Sequence, residues 1–307
     1  MKSEEFGQNH CGVGKCLYLC SRNVLKQKKM GIVIGIDVGI STTKIVGLKD
    51  GRVTAPTRIT AADPITSLYG AFGKYLHDND VDLQDVEQVM LTGVGSGYIK
   101  GSVYGLPTQK VEEFVADGLG ARYESKLDHT IVVSMGTGTS FVVCNGSDMR
   151  HIGGIGIGGG TLAGLSRLLL NTSDIKAVSA LAMQANVKNL NLLIGDISAE
   201  PLPNLPMDAT ASILAKAKSD ATKEDIAAGI ISMVLQTIGS AAWLASRGSD
   251  IRDFVLIGNL TLLPQCRDVF PPLEKLYNIR YHIPKYSQYC TAIGAALSYK
   301  QKAGLSA

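Results

Sequence analysis

From Gly31 the chain opens on an apolar run, GIVIGIDVG, passes a polar stretch, STTK, and returns to IVGLKD before Asp50-Gly51 turns it into RVTAPTRI. Apolar runs of strand length joined through short polar turns predict antiparallel hairpins, not a strand feeding a helix. The pattern then predicts a helix from about Pro64 to His77, a strand over VEQVMLTGVG that ends in glycines, and a helix near Gln109 to Tyr123. The segment TIVVSMGTGTSFVVCNGSDMRHI restarts the opening theme as strand, glycine turn, strand, Asn145-Gly146 turn and short strand. Two copies of one hairpin theme, roughly 95 residues apart, predict a duplicated two-lobe α/β architecture. Beyond the second copy, helices are expected at Thr161–Leu170, Ser173–Met183, Pro206–Lys218 and Lys223–Ser246, with a strand over DFVLIGNL and a closing helix at Thr291–Tyr299. The expected lobes are residues 31–120 and 121–307, with the last helix packing back on the first lobe, and residues 1–30 form a disordered leader.

Ile226 to Ala245 is twenty residues without a charge, the length a bilayer helix requires. Its Ala, Gly, Ser and Gln236 content, the Thr222/Asp225 capping box and the closing Arg247-Gly248 are signals of a soluble helix, and a buried core helix is expected. No membrane association is expected. At 307 residues with 45% apolar and 19% charged positions, the chain can bury a core without disulfide or metal support. The formal charge of +3 is carried by the leader, where six basic residues oppose Glu4 and Glu5, so the body is not basic. With 6% aromatics as well, nucleic-acid binding is not expected. Cys11, Cys16 and Cys20 lie in the leader, and Cys144, Cys266 and Cys290 are scattered singly, a pattern that suits neither a disulfide framework nor a zinc site.

The 34 glycines are concentrated in turns. Four stand out: Asp37 to Lys44 (DVGISTTK), Gly93 to Gly97 (GVGSG), Gly136 to Ser140 (GTGTS) and Gly153 to Gly160 (GGIGIGGG). Such turns let backbone N–H groups approach an anion with no side chain between, and the Ser, Thr or Lys that follows adds donors. A Walker A loop is excluded, because the only Gly-Lys pairs are Gly14-Lys15-Cys16 and Gly73-Lys74-Tyr75. Gly154, Gly156 and Gly159 match GxGxxG, with Asp174 twenty residues after Gly154, but a helical segment lies between and Asp174 sits in a helix-capping sequence, which is not the dinucleotide-binding context. The HRD and DFG partners of a protein-kinase loop are absent. DVGISTTK does supply an acid on a strand, a backbone turn and a lysine, the parts needed to hold hydrated magnesium and phosphate oxygens.

In the order GIDVGISTTK, VVSMGTGTSF, IGGIGIGGGTLAGL, FVLIGNL and TAIGAAL, across residues 31–303, the chain resembles the actin/hexokinase/Hsp70 superfamily of ATP-using two-lobe proteins. Its middle two motifs resemble type II pantothenate kinases. The resemblance implies a two-lobe actin-like (ribonuclease H-like) fold with the nucleotide in the inter-lobe cleft, ATP and Mg2+ as cofactors, and pantothenate as the small molecule phosphorylated on the way to coenzyme A. A cytoplasmic homodimer is expected. Residue by residue, Asp37 would order magnesium through water; Gly39, Ser41, Thr42, Thr43 and Lys44 would cradle phosphates; and Gly136, Thr137, Gly138 and Thr139 would form a second phosphate loop. Gly158, Gly159 and Gly160 would open a helix beside the nucleotide, and Gly258 matches the adenosine-side strand. Glu113, with Gly120 seven positions on, fits the family's general base, although Val115 stands where an Asp is usual. At the position of the family's acceptor-binding Arg stands His151 with Arg150 beside it, and either could serve. A sugar kinase of the same superfamily, an ATPase activator of a 2-hydroxyacyl-CoA dehydratase and a non-enzymatic actin-like ATP-binding scaffold are the alternatives. The zinc motif of one sugar-kinase group and the cysteine pair of the activators are both missing from the body.

The leader has no apolar period that could join a core. Deleting residues 1–29 should therefore leave turnover and Tm unchanged, and a fall of several degrees in a thermal melt would show that it packs.

Overall fold

A computed structural model describes residues 31–302 except Ser41, Ala61, Ala62 and Asn204. The expectations for the leader and for Ser41 lie outside the described residues. The first hairpins are β1 (Ile32–Val38), β2 (Thr43–Lys49) and β3 (Arg52–Ile59), followed by α1 (Pro64–Asp78), β4 (Val86–Thr92), β5 (Thr108–Lys110) and α2 (Glu113–Ser125). The second unit has β6 (His129–Met135), β7 (Thr139–Asn145), β8 (Asp148–Ile155), α3 (Gly159–Leu170) and α4 (Ile175–Ala182). After the short β9 (Leu192–Leu193), α5 (Ile194–Ile197) and β10 (Thr210–Ser212) come α6 (Lys223–Ala245), β11 (Asp253–Ile257), α7 (Cys266–Tyr277), β12 (Arg280–His282) and α8 (Cys290–Lys302).

The duplication is visible in the sheets. One has the order β3-β2-β1-β4-β5 and the other β8-β7-β6-β11-β12. In each, an antiparallel meander is joined by a parallel strand beside its first member, β4 on β1 and β11 on β6. Alternation decides what each face meets. Ile32, Ile34, Ile36 and Val38 of β1 pack with Leu68, Phe72 and Tyr75 of α1, while Val33 packs with Ala292, Ile293 and Ala296 of α8. On the second sheet, Val132, Val142, Cys144 and Val255 face Ala121 and Phe114 of α2. The opposite face packs on α6, whose residues Ala227 to Ala242 run through the larger core with α3, α4 and α7.

Each unit's closing helix thus packs on the sheet of the other unit, and the two helices cross in backbone contact. A Cβ at Gly120 would fall within bonding distance of the Cys290 carbonyl, and one at Gly294 within bonding distance of the Ala116 carbonyl. Gly35 of β1 meets the Ala292 carbonyl of α8 in the same way.

Two sequence expectations need correction. Residues 206–218 form no helix: the chain there turns, pairs as β10 with β9 and reaches a positive φ of 63° at Leu214. Local alanine propensity yields there to tertiary pairing and to Asn191, whose Oδ1 accepts from the Leu214 N–H at 3.1 Å. Helix α7 was not expected, because Pro271 and Pro272 stand inside it; its buried stripe of Cys266, Phe270 and Leu273 holds it against the core.

Gly294→Ala should destabilise the protein by roughly 3 kcal/mol or more in urea denaturation, since one of two crossing backbones must move. Gly70→Ala, in the middle of α1 with nothing within 4 Å of the added carbon, should instead stabilise by about 0.5–1 kcal/mol.

Candidate active site

The β1–β2 turn is closed by a bond from the Gly39 N–H to the Thr42 carbonyl at 3.1 Å, and a side chain at Gly39 would meet that same oxygen. Asp37 and Lys44 are directly opposite across the hairpin, on the face of Val33 and Gly35 that looks towards α8. They form a buried pair, Lys44 Nζ to Asp37 Oδ2 at 3.2 Å. Thr43, one position out of phase, is turned to the other face, where its oxygen accepts from Ser67 of α1 at 2.7 Å. As a phosphate ligand its side chain is therefore misplaced by the pleat, and only its backbone adjoins the turn.

Gly93, at φ 84°, closes β4 against this corner; a Cβ there would stand 2.6 Å from Asp37 Oδ1. Thr92, opposite Asp37 in register, is fully buried and its hydroxyl has no partner. A buried carboxylate with a glycine-cleared side and an orphan hydroxyl beside it fits a hydrated Mg2+, which takes few protein ligands and keeps waters and phosphate oxygens. Among the described residues no cluster of three His, Cys, Asp or Glu forms an all-protein metal cage.

Glu113 begins α2 and is half-buried, whereas Glu112 before it is exposed. Burial pushes the Glu113 carboxyl above the ordinary carboxylate range, the negative charge of Asp37 pushes it the same way, and Lys44 opposes both. The three side chains thus form one electrostatic unit at the end of β1 and the start of α2.

The second loop, Gly136 to Gly138, leaves β6 at the corresponding place. Helix α3 holds it: the N–H groups of Gly159 and Gly160 donate to the carbonyls of Gly136 and Thr137 at 2.8 and 2.9 Å. Those two helix donors serve the loop itself, and Thr139 spends its hydroxyl on the Ile157 carbonyl at 2.7 Å. Gly158 packs against Thr137 and Gly138, and Gly258 against the Met135 carbonyl at the loop's base. Register separates the two acceptor candidates. His151 lies opposite Val142 and shares its α2-facing side, while Arg150 lies opposite Val143 and points to the other face. The His151 ring stacks on Phe114, the neighbour of Glu113, with centroids 3.9 Å apart and planes at 11°.

Sequence reading passed over Asp117. It is fully buried one turn after Glu113, its Oδ1 accepts from Thr291 Oγ1 of α8 at 2.6 Å, and its Oδ2 has no partner. Burial drives its carboxyl up to about 7 against the pull of the Thr291 bond, with the charges of Glu113 and Asp37 adding to the rise. Asn259, beside Gly258, also buries an unpartnered Oδ1. Away from these residues, a cavity of about 830 Å³ lies between α4, α6, α7 and β10.

The Fumble family model matches residues 96–265. The type II pantothenate kinase of Staphylococcus aureus (strain USA300) is 29% identical over 236 residues, which cover 74% of this chain and 84% of that protein. Among solved structures, the activator of the 2-hydroxyisocaproyl-CoA dehydratase from Clostridium difficile with bound ADPNP superposes with a TM-score of 0.65 at 18% identity, over 89% of this chain and 96% of that one. Component A of the Acidaminococcus fermentans (R)-2-hydroxyglutaryl-CoA dehydratase gives 0.63 at 22%, over 89% and 99% of the two chains. A ROK family glucokinase from Streptomyces griseus in complex with glucose and AMPPNP gives 0.56 at 13%, over 88% and 100%. These structures share the two-lobe actin-like fold.

Because the folded Asp117 carboxyl titrates near 7 and the ordinary value is 3.8, its contribution to stability is whole below pH 3.8 and is lost as pH rises through about 7. Asp117→Asn, which cannot ionise, should exceed the wild type at pH 8 by ~2–4 kcal/mol in urea denaturation and converge with it below about pH 4.

Proposed function

Because this chain belongs to the Fumble family, we propose that it is an ATP-dependent kinase that phosphorylates pantothenate at its terminal hydroxyl. The observation that carries the reading is the unit of Asp37, Lys44 and Glu113, in which one cation, the buried carboxylate paired with it and one partly desolvated carboxylate meet at the inter-lobe junction. The Staphylococcus aureus relative named above gives the acceptor, and the nucleotide analogues in two of the structural neighbours support ATP as donor.

Phosphoryl transfer needs positioning and charge neutralisation more than covalent chemistry. The backbone of the Gly39–Thr42 turn and the loop from Gly136 to Gly138 would hold the phosphates from the two lobes. Lys44 would neutralise phosphate charge once it exchanges Asp37 for the nucleotide. Mg2+, held by Asp37 through water, would supply the remaining positive charge. Glu113 would accept the proton of the attacking hydroxyl; its raised proton affinity brings it towards the working pH, where a general base is most effective. His151, stacked on Phe114, stands on the same side and would contact the acceptor.

Glu113→Gln should lower turnover ~10²–10⁴-fold while nucleotide affinity stays near wild type. Glu112→Gln, on the exposed neighbour, should behave as wild type. Lys44→Ala should raise the KM for ATP far more than that for the acceptor, because it removes a point charge from the phosphates. The assay is ADP release with pantothenate, glucose and N-acetylglucosamine as acceptors. Turnover confined to glucose or N-acetylglucosamine would replace this reading with a sugar kinase, and acceptor-independent release from a brown protein would replace it with a dehydratase activator.

A further inference from the structure

Asp117 is a buried acid that the steps above do not use. It sits on α2 with its Oδ1 bonded to Thr291 of α8, where the two helices already touch backbone to backbone at Gly120 and Gly294. A separation of four residues puts it on the same side of α2 as Glu113, directly behind it along the axis. Among the described residues no cation bears on it. The groups that bear on it are Glu113 on its own helix, Asp37 of β1, Ser134 of β6, Cys144 of β7, and Cys290 and Thr291 of α8. Lys44, the cation of this junction, is paired with Asp37.

We propose that Asp117 is a positioning residue for Glu113: hydrogen-bonded to Thr291, it fastens α2 to α8 and so fixes where the carboxylate one turn earlier stands in the cleft. The role rests on Glu113 being the base. Sequence position alone does not set the direction of the Glu113 side chain, because Glu113 is the first residue of α2 and no side chain caps that end. The first fixed point after it on the same side is the Asp117–Thr291 bond. The bond works best with Asp117 uncharged. A neutral carboxyl adds no third negative charge to Asp37 and Glu113, and its carbonyl oxygen still accepts from Thr291. Loss of the proton places an uncompensated charge in the dry crossing and presses the helices apart.

The test compares acceptor-dependent kcat and KM for wild type, Asp117→Ala, Asp117→Asn, Thr291→Val and Glu113→Gln across pH 6–9. A displaced base costs turnover without costing nucleotide binding, so Asp117→Ala and Thr291→Val should lower kcat ~10–100-fold with the KM for ATP unchanged. Asp117→Asn keeps the shape and the accepting oxygen, and should recover most of what Asp117→Ala loses. It should also abolish the fall in kcat expected of the wild type as pH rises through about 7. Thr291→Val keeps the result decisive if Asp117→Ala does not fold. Wild-type kcat and pH profile in both Asp117→Ala and Thr291→Val, with Glu113→Gln inactive, overturns the positioning role and leaves Glu113 as base. Wild-type turnover in Glu113→Gln overturns the base, and the positioning role falls with it.

Discussion

Two helices meet backbone to backbone at the centre of this molecule, and no side chain could come between them. Gly120 and Gly294 face the carbonyls of Cys290 and Ala116, and Gly35 lets α8 lie on β1 in the same way. Since each helix closes one unit in sequence and packs on the sheet of the other, the crossing is what makes two duplicated halves one structure. Close packing of this kind is not continuously deformable, so the ends of β1, β6 and α2 are held at fixed places relative to one another. The candidate site is built at those ends.

The electrostatics follow from the same crossing. Bringing α2 against the end of β1 sets Glu113 near Asp37, and a like charge in a half-dry place costs free energy unless a cation offsets it. Lys44 does so, and its position opposite Asp37 is a property of the hairpin register. Asp117 lies deeper, with no cation of its own, and the cost is met by retaining a proton up to about pH 7. The three carboxyls thus differ in what offsets their burial: Asp37 is buried but paired with Lys44, Glu113 is half-buried beside that pair, and Asp117 is fully buried with its proton retained.

Much of this was legible in the chain. The hairpins around GIDVGISTTK and GTGTSFVV stand out because strand periodicity and turn residues agree, and their repetition announces the paired sheets. Pleat parity alone would have turned Thr43 away from the cleft while keeping Lys44 beside Asp37, had the turn been placed at Gly39–Thr42 rather than over STTK. Helix α7 was hidden by Pro271 and Pro272, and the alanines after Pro206 promised a helix that pairing with β9 overrides. Asp117 was hidden for another reason. The residues buried around it on α2 are small apart from Leu119, namely Ala116, Gly118, Gly120 and Ala121, so the large apolar residues of the helix do not mark the face it lies on and an acid there reads as surface. The usable signal was the run of small residues itself, which indicates close approach of a second backbone.

Duplication explains the frame but not the chemistry, because transfer of a charged group needs two unlike halves. The first unit brings Asp37 to the end of its central strand, and the second brings Ser134 to the matching place, opposite Ser140 where the first unit has Lys44. One hairpin carries an ion pair and the other a pair of hydroxyls. On the proposed reading the metal and the charge balance would belong to the N-terminal unit, while the C-terminal unit contributes a neutral glycine loop braced by the first N–H groups of α3. A neutral loop adds no repulsion to a polyanion and no competing cation site, so on that reading a nucleotide would be held in one orientation between two otherwise similar turns.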